Sequence, residues 1–391
     1  MIESATGGRA RPLGIAIGGL LALAAAMGIG RFVHTPILPY MVAGLGLDEA
    51  QAGLLASANF LGYLLGAMAA SIGRLPGGRR AWFLGGLLAS ALSTGAMGLV
   101  GSMPLFLSLR FIGGFASAFV LVFSSALVLH RLALAGRAGL STVHFAGVGS
   151  GIALSAVLIA ILGGAGLDWH VQWLASGALA LLAFILVTRL VPDAPDGLPA
   201  AASAGAPAKV DRRLKALIAA YGLFGFGYVI TATFLSTIVR VSPEIRALEP
   251  VVWLVVGLAA IPSVAFWAWI GRRHGNDRSF ALACFAQAVG VVLSTVATSG
   301  IAVLLSAFLL GGTIMGLTAI GFIRAGELTT GDQRRVMAVM TAVFGVGQMI
   351  GPTFAGYAYR FTDSFTPPTL IAAAALVVAG LLVIVVRRPG S

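Results

Sequence analysis

The sequence predicts an all-α membrane protein in which twelve transmembrane helices form two six-helix bundles related by a parallel pseudo-twofold repeat. Three observations carry the prediction. Apolar runs have the length of a membrane span, basic residues fall almost entirely on alternate loops, and the two halves of the chain share a repeat.

Composition sets the class. Hydrophobic residues make up 59% of the 391 positions, charged residues 10%, and mean hydropathy is +0.99. A soluble chain of this size needs far more charged surface. A helix of about twenty apolar residues crosses about 30 Å of hydrocarbon. Runs of that kind predict spans at 13–40, 49–72, 81–100, 104–129, 140–163, 171–189, 214–239, 250–270, 279–298, 301–325, 335–359 and 369–386. The 53 glycines suit helices that pack closely in lipid. The opening residues, MIESATGGRARPLG, do not read as a cleaved signal and lead directly into the first span. The single cysteine, Cys284, excludes an internal disulfide. With no Cys/His cluster beside it, neither a metal nor another cofactor is expected.

The net charge of +12 is mainly a topology signal, not the mark of a nucleic-acid partner. When loops are assigned alternately to two sides, one side receives only Arg240, Arg246 and Arg360. Arg31 and Arg110 lie within spans, and every other Lys and Arg of the 25 falls on the opposite side. The positive-inside rule then makes both termini cytoplasmic. A missed span would exchange the sides of every later loop, so the bias also supports the number twelve. Between the halves lies VPDAPDGLPAAASAGAPAK, rich in Pro, Ala and Gly and without apolar periodicity. The predicted organisation is a first bundle over 1–190, a cytoplasmic linker over 191–213 and a second bundle over 214–391.

The repeat is read from ordered glycine motifs. Gly28-Ile-Gly30-Arg31 recurs as Gly225-Phe-Gly227-Tyr228, and Gly113-Gly114 recurs as Gly311-Gly312. Gly147-Val148-Gly149 recurs as Gly345-Val346-Gly347, and Gly78-Arg79-Arg80 as Gly271-Arg272-Arg273. Six spans separate the copies, so both halves keep the same membrane orientation, the arrangement of parallel transporter repeats.

Along its whole length the chain resembles the major facilitator superfamily, and within it the YbfB/YjiJ-like group. The likeness rests on GIGRFVHTPILPYM at 28–41, HFAGVGSGIAL at 144–154, YGLFGFGYVITATFL at 221–235 and FGVGQMIGPTFAG at 344–356. GRLPGGRR at 73–80 resembles the superfamily's cytoplasmic gating loop, with Leu75 where an Asp is usual. Arg110 with Gly113-Gly114 resembles its span-4 Arg motif, in which the Arg often ties spans 1 and 4 together through carbonyls. Gly347 to Gly356 in span 11 resembles a Gly-Pro motif that the superfamily more often shows in span 5. The resemblance implies a monomeric secondary transporter of the bacterial inner membrane. It also implies that spans 1, 4, 7 and 10 line a cavity around which the halves rock.

Charges at lipid depth are costly, about 2.5–3.5 kcal/mol at a helix centre, which singles out Arg31 and Arg110. Neither has an Asp or Glu in the central part of any span to pair with. A buried cation without such a partner needs carbonyls, water or a ligand anion. The expected substrate is therefore a small organic anion or amphipathic solute held by Arg31, with Arg110 divided between that role and a structural one. His34 and Thr35 share the helix face of Arg31, and His34 is the best-placed proton-coupling candidate. Pro36 and Pro39 are expected to disrupt the outer end of this helix. Under the repeat, Arg31 corresponds to Tyr228 and Arg110 to Phe308. Tyr228, Thr231, Phe308 and Thr313 are thus expected to form an aromatic and hydroxyl wall opposite the basic one. Asn59 and Gln348 join the candidate substrate-binding set as midplane polar residues. Arg79, Arg80, Asp277 and Glu327 are candidates for gating on the cytoplasmic side.

Efflux of hydrophobic drugs uses the same apolar cavity and stays open as an alternative, as does a ligand sensor of transporter fold. Copper transport would want Met or His pairs facing a cavity, and Met337 and Met340 lie at a span end. No paired intramembrane carboxylates, His pair or GxSxG motif points to an enzyme.

Overall fold

Among the described residues, twelve long helices account for the fold. In this computed structural model they are α1 Pro12–Leu45, α2 Glu49–Ala70, α3 Arg79–Leu99 and α4 Met103–Leu134. α5 Ser141–Gly164, α6 Trp169–Leu190, α7 Arg212–Val241 and α8 Glu249–His274 follow. α9 Asn276–Leu293, α10 Gly300–Leu328, α11 Gln333–Thr362 and α12 Thr366–Val385 complete the chain. The structure describes residues 12–71, 78–193, 211–296 and 298–386. Residues 72–77 of the expected gating loop, Leu75 among them, and 194–210 of the linker lie outside the described residues.

Eleven of the helices have the length and apolar composition to cross a membrane. The twelfth, α9, has 18 residues and begins Asn276-Asp277-Arg278, which dilutes its hydropathy. Short polar residues start several helices by accepting backbone N–H groups that have no partner within the helix. Asp48 accepts from Gln51 N–H at 2.7 Å, and Gln51 Oε1 accepts from Asp48 N–H at 3.0 Å, a reciprocal cap on α2. Asp211 caps α7 by accepting from Leu214 N–H, and Asp168 caps α6 by accepting from Val171 N–H, without the reciprocal bond.

α1 is not one continuous helix. Ala24–Ile29 is wound as a π-helical turn, the chain turns through residues 30–33, and His34–Leu45 resumes the helix. The break therefore precedes Pro36 and Pro39, where the sequence led us to expect a disrupted outer end. The reason is that a proline deprives the carbonyl four residues earlier of its donor. For Pro36 that carbonyl belongs to Phe32, which instead accepts from Thr35 N–H at 3.2 Å.

The two halves pack as copies of each other. In the first, α1 packs on α5 and α6, α2 on α4, and α3 on α4 and α6. In the second, α7 packs on α11 and α12, α8 on α10, and α9 on α10 and α12. The contacts between halves obey the same symmetry: α2 with α11, α5 with α8, and α1 with α7.

Those contacts close one end of the molecule, the end away from the basic loops. Gly53 on α2 lies so close to Pro352 on α11 that a side chain there would overlap the Pro352 carbonyl. Gly257 on α8 meets the backbone of Ala153 on α5 in the same manner. Ser57 Oγ donates to the Met349 carbonyl at 2.6 Å, and Thr353 Oγ1 donates to Ser57 Oγ at 2.8 Å. Asp48 pairs with Arg360 across the same seam, and Arg240 on α7 lies 3.8 Å from the centre of the Tyr40 ring on α1. Partial burial pushes the Asp48 carboxyl up, but the Gln51 amide and Arg360 outweigh it and hold the group below its ordinary value. The pair is thus present at neutral pH and is lost only as pH falls through that lowered value.

Because the seal needs backbone-to-backbone approach, Gly53→Val should wedge α2 from α11. Labelling of a cysteine placed at Ser57 by a membrane-impermeant thiol reagent, added from the sealed side, should rise several-fold over the same cysteine in the parent. Unchanged labelling would show that Gly53 does not hold the seal.

Candidate functional site

Below the seal a cavity of about 1760 Å³ opens toward the face that carries the basic loops. Its mouth is bordered by Arg79, Arg80, Asp193 and Arg272, and its inner end by Arg31, Tyr63, Tyr228 and Gln348. Asp193 is the only carboxylate among the described residues that line it.

Arg31 sits at that inner end, 4% exposed. Its guanidinium lies 3.9 Å from the centre of the Tyr63 ring and 5.2 Å from that of Phe60. One Nη donates to Gln348 Oε1 at a long 3.4 Å, the other approaches Met27 Sδ at 3.9 Å, and Nε has no hydrogen-bond partner among the described residues. Gln348 donates in turn to the Tyr228 hydroxyl. Arg31, Gln348 and Tyr228 thus form one chain across α1, α11 and α7. The Tyr228 ring runs nearly parallel to Phe344, at 13° and 5.9 Å between centres, and Tyr221 lies 5.0 Å from Phe344.

Arg110 is placed quite differently. It is buried in the protein and does not border the cavity. Its two Nη atoms donate to the carbonyls of Gly30 and Arg31, each at 3.2 Å, and Nε donates to the Leu55 carbonyl at 3.4 Å. Those first two carbonyls sit at the break in α1. Arg110 therefore ties α4 to α1 and α2 and does not reach a solute in this conformation.

The other expected site residues separate by depth. His34 and Thr35 lie outward of Arg31, and Thr231 lies outward of Tyr228. Asn59 and Phe308 are likewise on the sealed side of the cavity end, and none of the five borders the cavity. Thr35 Oγ1 donates to the Ala232 carbonyl at 2.7 Å, which makes it part of the seal between α1 and α7. Asn59 Nδ2 donates to the Arg110 carbonyl at 2.9 Å and holds α2 to α4. Thr313 donates to Leu309 within its own helix at 2.6 Å. Phe308 is 55% exposed on the outer surface, so it is no part of an aromatic wall. Gly114 meets the Asn59 carbonyl on α2 as Gly311 meets the Val256 carbonyl on α8, which aligns Arg110 with the buried Ala307 and not with Phe308. His34 is buried against Trp173, 6.2 Å between ring centres, and neither ring nitrogen finds a partner among the described residues. Its distance from the cavity removes the direct route a proton carrier would use in this conformation.

At the mouth, Arg80 donates to the carbonyls of Val191 at 2.9 Å and Thr188 at 2.7 Å, both at the end of α6. Arg324 binds both oxygens of Asp277, the second at 2.7 Å, and Glu327 at 2.9 Å. Asp277 and Glu327 thus pair within the second half here and not across to the first. Arg79 borders the mouth and has a partner of its own.

Tyr63, Tyr221 and Phe344 are cavity residues that the sequence reading did not single out. The expectation that spans 1, 4, 7 and 10 line the cavity left out α2 and α11, which supply Tyr63, Phe344 and Gln348. A sequence signal exists: Asn59 and Tyr63, and Phe344 and Gln348, are spaced i, i+4 and so share helix faces.

Two stability effects follow from this contrast. Arg110→Gln should lower stability by about 2 kcal/mol or more, because the Gly30 and Arg31 carbonyls lose their donors in a buried setting. Arg31→Gln should cost little or nothing, because it removes a buried charge that no carboxylate offsets. Thermal unfolding of the two purified variants beside the parent checks both.

The family model described as "Uncharacterised MFS-type transporter YbfB" matches residues 23–384. No curated relative matches the chain. Solved structures of similar fold include a mutant of the nucleoside transporter NupG, at TM-score 0.74 and 14% identity, covering 95% of this chain and 99% of that one. NupG itself aligns at TM-score 0.67 and 17% identity, covering 96% and 98%. The D-xylose-proton symporter aligns at 0.73 and 15%, covering 95% and 96%.

Proposed function

From the premise that the chain belongs to the YbfB-like family of major facilitator transporters, we propose that it moves a small organic anion across the membrane by alternating access, with Arg31 as the anion-binding group. The fold and family make it a multi-pass membrane transporter and not an enzyme. Substrate and mechanism are the proposed part.

One observation carries the reading. Arg31 places a cation at the inner end of the cavity with no carboxylate near it among the described residues, one long bond to Gln348 and an unused Nε. A buried charge in that condition is stabilised by an incoming anion, and a guanidinium matches a carboxylate through paired N–H donors. The mouth supports it. Arg79, Arg80 and Arg272 outnumber Asp193 there and raise the local concentration of anions. By the positive-inside rule the basic face is cytoplasmic, and the cavity then opens inward with both termini on that side. The symmetric pairs α2–α11 and α5–α8 are suited to part on one side while closing on the other, as rocking halves require.

The test is counterflow in proteoliposomes loaded with a mixture of small monocarboxylates, with a nucleoside and D-xylose as neutral controls. Parent protein should exchange at least one carboxylate, and Arg31→Gln should lower that exchange about a hundredfold or more, as loss of a buried charged hydrogen bond implies. Exchange of the neutral solutes alone, unaffected by Arg31→Gln, would refute the proposal.

A further inference from the structure

We propose that the anion is aromatic: a planar ring carrying one carboxylate, with the carboxylate on Arg31 and the ring among Tyr63, Tyr228 and Phe344. This rests on the anion reading above and narrows it to a chemical class.

The argument begins with what surrounds Arg31. Its guanidinium lies over the Tyr63 ring at 3.9 Å. A guanidinium on an aromatic face keeps its N–H donors free along its edge, where a carboxylate binds. Beyond Met27 and Gln348, which touch Arg31, the cavity groups that follow are aromatic. Tyr228 is joined to Arg31 through Gln348, and Phe344 sits one helical turn from Gln348 on the same face. Tyr228 and Phe344 are held nearly parallel, 13° apart, and Tyr221, from the same helix as Tyr228, also packs on Phe344, 5.0 Å between ring centres. A flexible aliphatic chain needs apolar surface but no such alignment. A flat ring gains from offset or edge contacts with fixed aromatic neighbours, beyond what burial alone supplies.

Polarity around the rings points the same way. Tyr63, Tyr221, Tyr228, Thr318, Thr341 and Gln348 are the hydrogen-bonding residues of this part of the wall, and the Tyr221 and Tyr228 hydroxyls are already bonded to the Thr318 carbonyl and to Gln348. The rest of the wall beside them is Met27, Phe32, Ile314 and Met315. A sugar, which carries a hydroxyl on nearly every carbon, would leave most of these groups unsatisfied against such a surface. A cation meets Arg31 with no acid near it. A ring with one anionic end satisfies the single charge and the aromatic surface together, the usual make-up of a site with a few placed polar groups in an apolar pocket.

The experiment measures affinities of the purified full-length protein for three probes. Benzoate has ring and charge, cyclohexanecarboxylate keeps the charge on a saturated ring, and benzamide keeps the ring without the charge. Benzoate should bind about tenfold more tightly than cyclohexanecarboxylate, near the upper end of one aromatic contact, and benzamide should not bind detectably. Phe344→Leu should weaken benzoate about tenfold and leave cyclohexanecarboxylate unchanged. Tyr63→Leu serves as the second variant in case Phe344→Leu does not fold. Equal binding of the two carboxylates, both abolished by Arg31→Gln, would overturn the aromatic class and leave the anion reading standing. Benzamide binding as well as benzoate, without need of Arg31, would overturn both. Binding of none of the three would overturn the aromatic class.

Discussion

Arg110 closes the gap that the first helix leaves in its own backbone. The π-helical turn at Ala24–Ile29 and the turn that follows leave the Gly30 and Arg31 carbonyls to Arg110, which donates to both from α4. At lipid depth an unpaired carbonyl costs several kcal/mol, so irregular backbone survives there only where protein groups satisfy it. Arg110 meets that condition and is itself neutralised by the carbonyl dipoles. The break in turn sets the direction of the residue beside it. Arg31 leaves the α1 axis at this point and enters the cavity. One buried cation is thus engaged by backbone carbonyls, while the other borders the cavity.

The same break explains why the two halves, so similar in packing, differ in chemistry. α7 is the copy of α1 and runs as a helix from Arg212 to Val241. It has no interruption and presents Tyr228 where α1 presents Arg31. Symmetric helix pairs build the frame and the seal. The inner end of the cavity lies where α1 and α7 diverge, a charged and irregular segment facing a regular aromatic one. Gln348 joins the two, since it accepts from Arg31 and donates to Tyr228.

The two ends of the molecule are held by different forces. The sealed end relies on backbone contact at Gly53 and Gly257, with a few hydrogen bonds such as Thr35 to Ala232. The open end is dressed with charge, and several of its groups are engaged within their own half: Arg80 with the end of α6, Arg324 with Asp277 and Glu327. Surface ion pairs are weak individually. They can exchange partners at low cost, whereas close helix packing is either made or broken.

Hydropathy, the one-sided basic loops and the glycine repeat were enough to determine a twelve-helix architecture with a parallel repeat, because these are properties of each segment taken alone. The cost of charge in lipid likewise marked Arg31 and Arg110. Depth and direction were not legible in the chain. His34, Thr35, Asn59, Thr231 and Phe308 all lie within several residues of cavity positions, yet none borders the cavity: Thr35 is in the seal, Asn59 binds α4, and Phe308 faces outward. Where the seal falls depends on how α2 crosses α11 and α5 crosses α8, contacts between segments roughly three hundred and one hundred positions apart in the chain. That crossing also brings Tyr63, Phe344 and Gln348 to the inner end of the cavity, on helices whose sequences differ little from those that face lipid. Which of two buried arginines meets solvent was decided by tertiary structure, because only there do the carbonyls of the broken helix find Arg110.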